Sequence, residues 1–274
     1  MAQPQSESRA HVGARGPGSE LTVWVVGGPT AVLELGGLRL LTDPTLSPAG
    51  VHESAPGRPL TKTEAPAFDV DVIGPIDVVL LSHDQHADNL DPAGREFLAS
   101  APLTLTTESA ARRLGGTAHP LASWHGIVLD RPAGGTLEVV AVPARHGPEG
   151  CEPSTGEVTG FVVRGDGLPT VYVSGDNASL EIVHEIADRM GEIDVALVFA
   201  GAARTSLFDG APLTLTGTDA AEAARLLDAR WVVPLHVTGW AHFSEGPDDV
   251  RAAFAGANLA DRLRVIEPGE IATF

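Results

Sequence analysis

Sulfur, lysine and long apolar runs are what this chain has least of. A single cysteine, Cys151, stands in 274 residues, so neither a disulfide framework nor a thiolate zinc cluster can be built within one chain. No run of about 18 apolar residues occurs, which excludes an ordinary membrane-spanning helix. The first twenty residues are polar and rich in Gly, Ser and Arg, with no apolar core of signal-peptide length, and the expectation is a soluble cytoplasmic protein. Basic charge is scarce as well: 18 Lys and Arg against 36 Asp and Glu give a formal charge of −18, and Lys62 is the only lysine. Such a surface repels phosphate backbones, so the expected partner is a small molecule and not a nucleic acid.

What is present suffices for a sizeable core, since 43% of the residues are hydrophobic. Residues 1–19 could bury almost nothing and are expected to be a disordered tail, with residues 20–274 a single domain. The β pattern begins at Leu21: three short apolar runs over residues 21–26, 31–35 and 38–42, joined by Gly-rich turns, predict an antiparallel meander. Residues 46–68 are Pro-rich and without period, which suggests a functional flap or a disordered loop. Further strands are expected over 76–81, 103–106, 137–142, 158–163, 169–173, 194–200, 231–235 and 263–266. Helices are expected over 91–99, 108–114, 179–190, 218–229, with Thr218 or Asp219 as N-cap, and 248–255. Strands followed by helices in both halves suggest face-to-face sheets with helices outside.

The strand over 76–81 empties into Ser82-His83-Asp84-Gln85-His86-Ala87-Asp88-Asn89. Imidazole and carboxylate are the ligands a divalent ion takes when thiolates are missing, so His83, His86 and Asp88 read as metal ligands in preference to a polar helix cap. Three later strands also end in such residues, at His146, Asp176 and His236, and four exits of this kind would line one sheet edge. His119, His125 and His184 lack a strand exit and read as structural; His11 and His52 read as solvated. Asp43-Pro44 reads as a turn whose carboxylate accepts from loop amides.

With these pieces in order, the chain resembles the metallo-β-lactamase-fold hydrolases, in the branch of the L-ascorbate-6-phosphate lactonase-like and N-acylphosphatidylethanolamine phospholipase D-like proteins. The resemblance rests on Gly36-Gly37-Leu38-Arg39-Leu40-Leu41-Thr42-Asp43-Pro44, the Ser82-His83 stretch, Pro143-Ala144-Arg145-His146, Ser174-Gly175-Asp176, and Pro234-Leu235-His236 with Trp240-Ala241-His242-Phe243. It implies an α/β fold, a four-layer αββα sandwich, with one or two ions of zinc, or else manganese, at one edge. The family's first motif runs His-x-His-x-Asp-His. Aligning His83 with its first histidine puts Gln85 at the second, whereas aligning Asp88 with its aspartate puts Asp84 at the first and Asn89 at the last.

Carried over residue by residue, the resemblance implies His83, His86 and His146 around one ion, Asp176 bridging or capping it, and Asp88 with His236 around a weaker second ion. Asp176 or Asp88 would orient the attacking water, and His242 would donate a proton or contact substrate. Asp84 would orient a histidine from behind. Arg145, Arg204 and Trp240 are the candidate substrate contacts. The reaction so implied is hydrolysis of a lactone, other ester or phosphodiester. A member that binds without turnover, suggested by Gln85 and Asn89, and an iron-dependent redox protein on the same scaffold are the alternatives.

Overall fold

The computed structural model describes residues 20–55 and 58–274; the tail expected over residues 1–19, with His11, lies outside the described residues. The meander is present as Thr22–Gly27 (β1), Thr30–Leu35 (β2) and Leu38–Thr42 (β3). Residues 46–68, expected to lack secondary structure, instead contain an antiparallel hairpin, Gly50–Ala55 (β4) and Arg58–Lys62 (β5). Val70–Ile73 (α1), Val78–Leu80 (β6), Pro92–Phe97 (α2), Thr104–Thr106 (β7), Glu108–Leu114 (α3) and Ala118–Pro120 (β8) complete the first half. The second half runs through Gly126–Asp130 (β9), Thr136–Pro143 (β10), Glu152–Thr155 (α4), Thr159–Arg164 (β11), Val171–Val173 (β12) and Leu180–Met190 (α5). It ends with Val195–Phe199 (β13), Gly217–Leu226 (α6), Trp231–Leu235 (β14), Pro247–Gly256 (α7) and Ile271–Thr273 (β15).

Seven strands form one sheet in the order β15-β1-β2-β3-β6-β7-β8, and six form the other in the order β14-β13-β12-β11-β10-β9. Period-2 alternation sorts their side chains. Leu33, Leu40, Leu80, Phe161, Leu197 and Phe199 meet between the sheets, while Tyr172, Ala196 and Val198 face the other way onto Val183, Ile186 and Phe254 of the second sheet's helices. On the far side of the first sheet, Val32, Leu41 and Val79 pack on Ile73 and Phe97. The result is the expected αββα sandwich, with each buried Leu or Phe contributing roughly 1.5–3 kcal/mol.

Two further expectations are corrected. The strand over 263–266 is only an isolated bridge between Leu263 and Val232; the last true strand is β15, which closes the first sheet against β1. The N-cap of α6 is Thr216, not Thr218 or Asp219, because Thr216-Gly217-Thr218-Asp219 forms a capping box in which each end satisfies the other's backbone amide.

Tyr172 is fully buried against the second sheet's helices, which pushes its pKa up, and its hydroxyl has no hydrogen-bond partner. An unpaired hydroxyl in a core costs about 1–3 kcal/mol. Tyr172→Phe is therefore expected to raise stability by roughly 1 kcal/mol, readable as a higher midpoint in urea unfolding; a lower midpoint would refute it.

Candidate metal centre

The sheets place the candidate residues by strand direction. β3 and β6 are parallel, β10 and β12 are both antiparallel to β11, and β12, β13 and β14 are parallel, so all the exits of interest leave at C-terminal strand ends. At that edge the sheets touch: the Thr159 amide donates to the Ser82 carbonyl at 3.1 Å.

Two overlapping clusters result. His83, His86, His146 and Asp176 each offer one ligand atom within 4.8 Å of the others, and Asp88, Asp176 and His236 do the same beside them. In the first, His86 Nδ1 lies 2.9 Å from His83 Nε2 and 3.2 Å from His146 Nε2, and Asp176 Oδ2 is 3.4 Å from His146 Nε2. The outer nitrogens are committed elsewhere. His146 Nδ1–H donates to the Leu213 carbonyl at 2.7 Å. Ser82 Oγ donates to Asp43 Oδ2 at 2.8 Å and so accepts from His83 Nδ1–H at 3.0 Å. Both rings are thereby held in the tautomer whose Nε2 lone pair faces inward.

The electrostatics agree. Burial, with the neighbouring rings adding to it, holds His83 well below the ordinary histidine value and His86 down to about 4. The inward Nε2 atoms of His83 and His146 thus converge on His86 Nδ1, an arrangement of ring nitrogens that a cation satisfies. Unpaired buried oxygens, Asp176 Oδ2 and Asp88 Oδ1, stand beside them. The donor set fits a divalent ion.

The second cluster differs. Asp88 Oδ2 lies 3.1 Å from His236 Nε2 and 3.0 Å from His242 Nε2. Burial would raise the Asp88 carboxyl, but the His242 charge and the hydrogen bonds from both histidines hold it well below the usual carboxylate range. His236 moves up: burial opposes its charge, and the Asp176 and Asp88 carboxylates outweigh it. Its backbone sits at φ 57°, in the left-handed region, and its ring stacks on Phe199 at 5.2 Å. A Cβ at Gly201 would come within 2.1 Å of the His236 carbonyl oxygen, so that glycine is what lets the strained turn pass.

Asp43 is the group that sequence reasoning under-read. Its carboxylate does accept a loop amide, from Ser82 at 2.6 Å, but it also accepts Ser82 Oγ and Asn89 Nδ2 and so backs the His83 ring. Burial pushes its pKa to about 7, against the Ser82 hydrogen bonds and with help from the Asp176 charge. The signal lay in its position at a fifth strand exit.

Above the clusters lies a cavity of about 410 Å³ whose lining includes His86, Asp88, His146 and His242, with the flap hairpin (Ser54, Arg58, Pro59, Leu60) on one side and residues 203–207 and Leu213 also in the wall. Arg204, as expected, is on it. Arg145 and Trp240 are not among its lining residues. Arg145 Nη1 is 3.8 Å from Glu181 on α5. Trp240 is buried, its ring beneath Lys62 Nζ at 5.7 Å.

A family model described as "Beta-lactamase superfamily domain" matches residues 38–237. A UPF0173 metal-dependent hydrolase of Pyrobaculum aerophilum is 30% identical over 251 residues, covering 88% of this chain and 94% of that protein. The chain belongs to the UPF0173 metal-dependent hydrolase family, within the β-lactamase superfamily. A second relative carrying the same description, from Pelotomaculum thermopropionicum, is 27% identical over 243 residues and covers 86% of this chain and 92% of the relative. Among solved structures, isothiocyanate hydrolase from Delia radicum gut bacteria shares the fold, with a TM-score of 0.76 at 20% identity over 92% of this chain and 98% of that one.

Within this family member, neither gapless alignment of the first motif holds. His83 and His86 both reach the cluster because the two residues between them turn away. Asp84 does not orient a histidine; it pairs with Arg113 and Arg95. Gln85 packs on Gly156, where even a Cβ would come within 2.0 Å of its amide nitrogen. Asn89 follows Asp88 and donates its amide to Asp176 Oδ1 at 3.1 Å, holding that carboxylate as a hydrogen-bond donor. His119, His125 and His184 are exposed. No helix among the described residues is long and apolar enough to cross a membrane.

Proposed function

We propose that these clusters hold one or two divalent cations, zinc or else manganese, and that the chain hydrolyses a lactone, other ester or phosphodiester of a small molecule. His83, His86, His146 and Asp176 would hold the first ion, and Asp88, Asp176 and His236 a second, more weakly, since that cluster offers one nitrogen where the first offers three. The observation that carries the reading is the convergence of three imidazole nitrogens, two of them, on His83 and His146, with the lone pair turned inward because the outer nitrogen is already bonded. A bound cation supplies Lewis acidity and makes water nucleophilic at neutral pH.

The chain's own residues do the rest. Asp88 keeps Oδ2 on two histidines and Oδ1 free, so Oδ1 can accept a hydrogen bond from the attacking water and orient it. His242 lines the cavity with Nε2 on Asp88 Oδ2, and would contact the substrate or pass a proton to the departing oxygen. The flap hairpin and the 203–207 wall limit bulk water around the scissile bond. A lactonase-like or phospholipase D-like substrate remains the finer part of this proposal, and the partner is a small molecule, not a nucleic acid.

Elemental analysis of protein purified without added metal, paired with a hydrolysis screen over lactones, aryl esters and phosphodiesters, tests it. Stoichiometric zinc or manganese with turnover abolished by chelation is the expected result. Protein without divalent metal, and with no gain in melting temperature on adding Zn²⁺ or Mn²⁺, would replace it by a binding role without turnover.

A further inference from the structure

The cavity has a charge pattern that the chain as a whole does not. Acidic residues outnumber basic ones two to one, yet among the described residues the only carboxylate on the cavity lining is Asp88, already engaged by His236 and His242, while two arginines, Arg58 and Arg204, belong to the same lining. Elsewhere the arginines are commonly neutralised: Arg113 and Arg95 share Asp84, Arg145 meets Glu181, and Arg251 meets Asp248 and Glu267. Among the described residues neither Arg58 nor Arg204 has a carboxylate within ion-pair distance.

Arg204 is also held in place. Its Nε donates to Ser244 Oγ at 3.1 Å and one terminal nitrogen donates to the Gly210 carbonyl, which fixes the plane of the head and leaves the other terminal nitrogen unspent. The same lining carries three leucines, Leu60, Leu207 and Leu213, as its apolar surface, with serine and threonine side chains among them. A planar fork of N–H donors matches the two oxygens of an oxyanion, and in an otherwise acidic protein an unpaired fork on a cavity wall attracts one. The volume, about 410 Å³, suits a small organic molecule.

We infer that the ligand of this cavity joins an apolar body to an oxyanion, a carboxylate or a phosphate, and that Arg58 and Arg204 bind the oxyanion while the body lies along Leu60, Leu207 and Leu213. The inference rests on the proposed hydrolase reading for what happens at the His/Asp clusters, but the oxyanion contact itself does not require turnover. Arg58 is thus a specificity residue of the flap hairpin. The oxyanion is the handle that is not cleaved.

Calorimetric titration of the purified, metal-bearing protein with hexanoate, hexyl phosphate and 1-hexanol tests the contact directly. At least one anion is expected to bind about tenfold or more tightly than the alcohol, and the tighter anion identifies the group. In the R58Q/R204Q double variant that advantage should vanish, with the melting temperature unchanged because both side chains are exposed. Equal binding of alcohol and anions, or no binding of any probe, overturns the inference. Anion affinity unchanged in the double variant also overturns it, because the anion then sits on the His/Asp clusters. As a second readout, monophenyl glutarate should exceed phenyl pentanoate about tenfold in kcat/KM, with the difference in KM. Failure to hydrolyse either ester would count against the hydrolase reading while leaving the titration result intact.

Discussion

The His146→Ala protein should fold, lose the cation of the three-imidazole cluster and retain less than about 1% of wild-type kcat/KM. Removing a partner that merely orients a ligand typically costs 10–100-fold in metal affinity or activity, so losing a ligand should exceed about 100-fold. His146 is singled out because it is the nearest ring to Asp176 in its cluster, at 3.4 Å, and its Nδ1–H is fixed by the Leu213 carbonyl at 2.7 Å. Without it two nitrogens and one oxygen remain, and the Asp176 carboxylate loses its neighbour. The fold should survive because the ring makes no other hydrogen bond than those to Leu213 and His86. Elemental analysis, steady-state kinetics and far-UV circular dichroism on the same preparation check this; a variant with full metal content and full activity would refute the ligand assignment.

Lys62→Met is expected to carry a large stability loss, on the order of 3 kcal/mol, because it leaves the carboxylate of Asp91 buried without its cation. The chain's only lysine is 5% exposed, and its ammonium donates to the Thr45 carbonyl at 2.7 Å, the Ser47 carbonyl at 2.8 Å and Asp91 Oδ2 at 3.1 Å. Three acceptors for three ammonium protons explain a lysine where every other basic residue is arginine, whose planar fork could not reach all three. Burial lowers its pKa, and Asp91 resists that shift. Asp91 in turn accepts from Leu46, Ser47 and Gly94 amides and caps α2. Thr63 and Ala241 amides bond across to Gly239 and Thr61, so β5 is also tied to the loop that carries His242. Thermal unfolding should show a fall of several degrees, and limited proteolysis should cut within residues 50–62 faster than in wild type. An unchanged midpoint would show that the pair contributes nothing net.

Much of this architecture was legible in the sequence because strand patterns and turn residues are local. The six candidate ligands were found by the same route: His83, His146, Asp176 and His236 each follow an apolar strand, and parallel strand ends must meet at one edge. Side-chain direction was not legible. Arg145 stands next to His146 in the turn that follows β10, where no strand alternation fixes direction, and while His146 points inward Arg145 reaches toward Glu181. Trp240 was misread for a related reason, since its partner Lys62 lies 178 positions earlier and only the pairing of β5 with that loop brings them together. The hairpin of residues 50–62 escaped because prolines and exposed valine obscure its alternation. Gln85 and Asn89 looked like lost ligands until the loop's path showed His86 reaching the cluster past an extra residue.

The ligand-type residues are divided between the two sheets: His83, His86 and Asp88 follow β6, whereas His146, Asp176 and His236 follow strands of the other sheet. An ion held at their common point, as proposed, would be a rivet through both leaves of the sandwich, binding the folded chain and not the separated halves. Occupancy and mechanical integrity would then rise and fall together. Stripping the ion by chelation is accordingly expected to leave a looser, more protease-sensitive chain as well as a slower one.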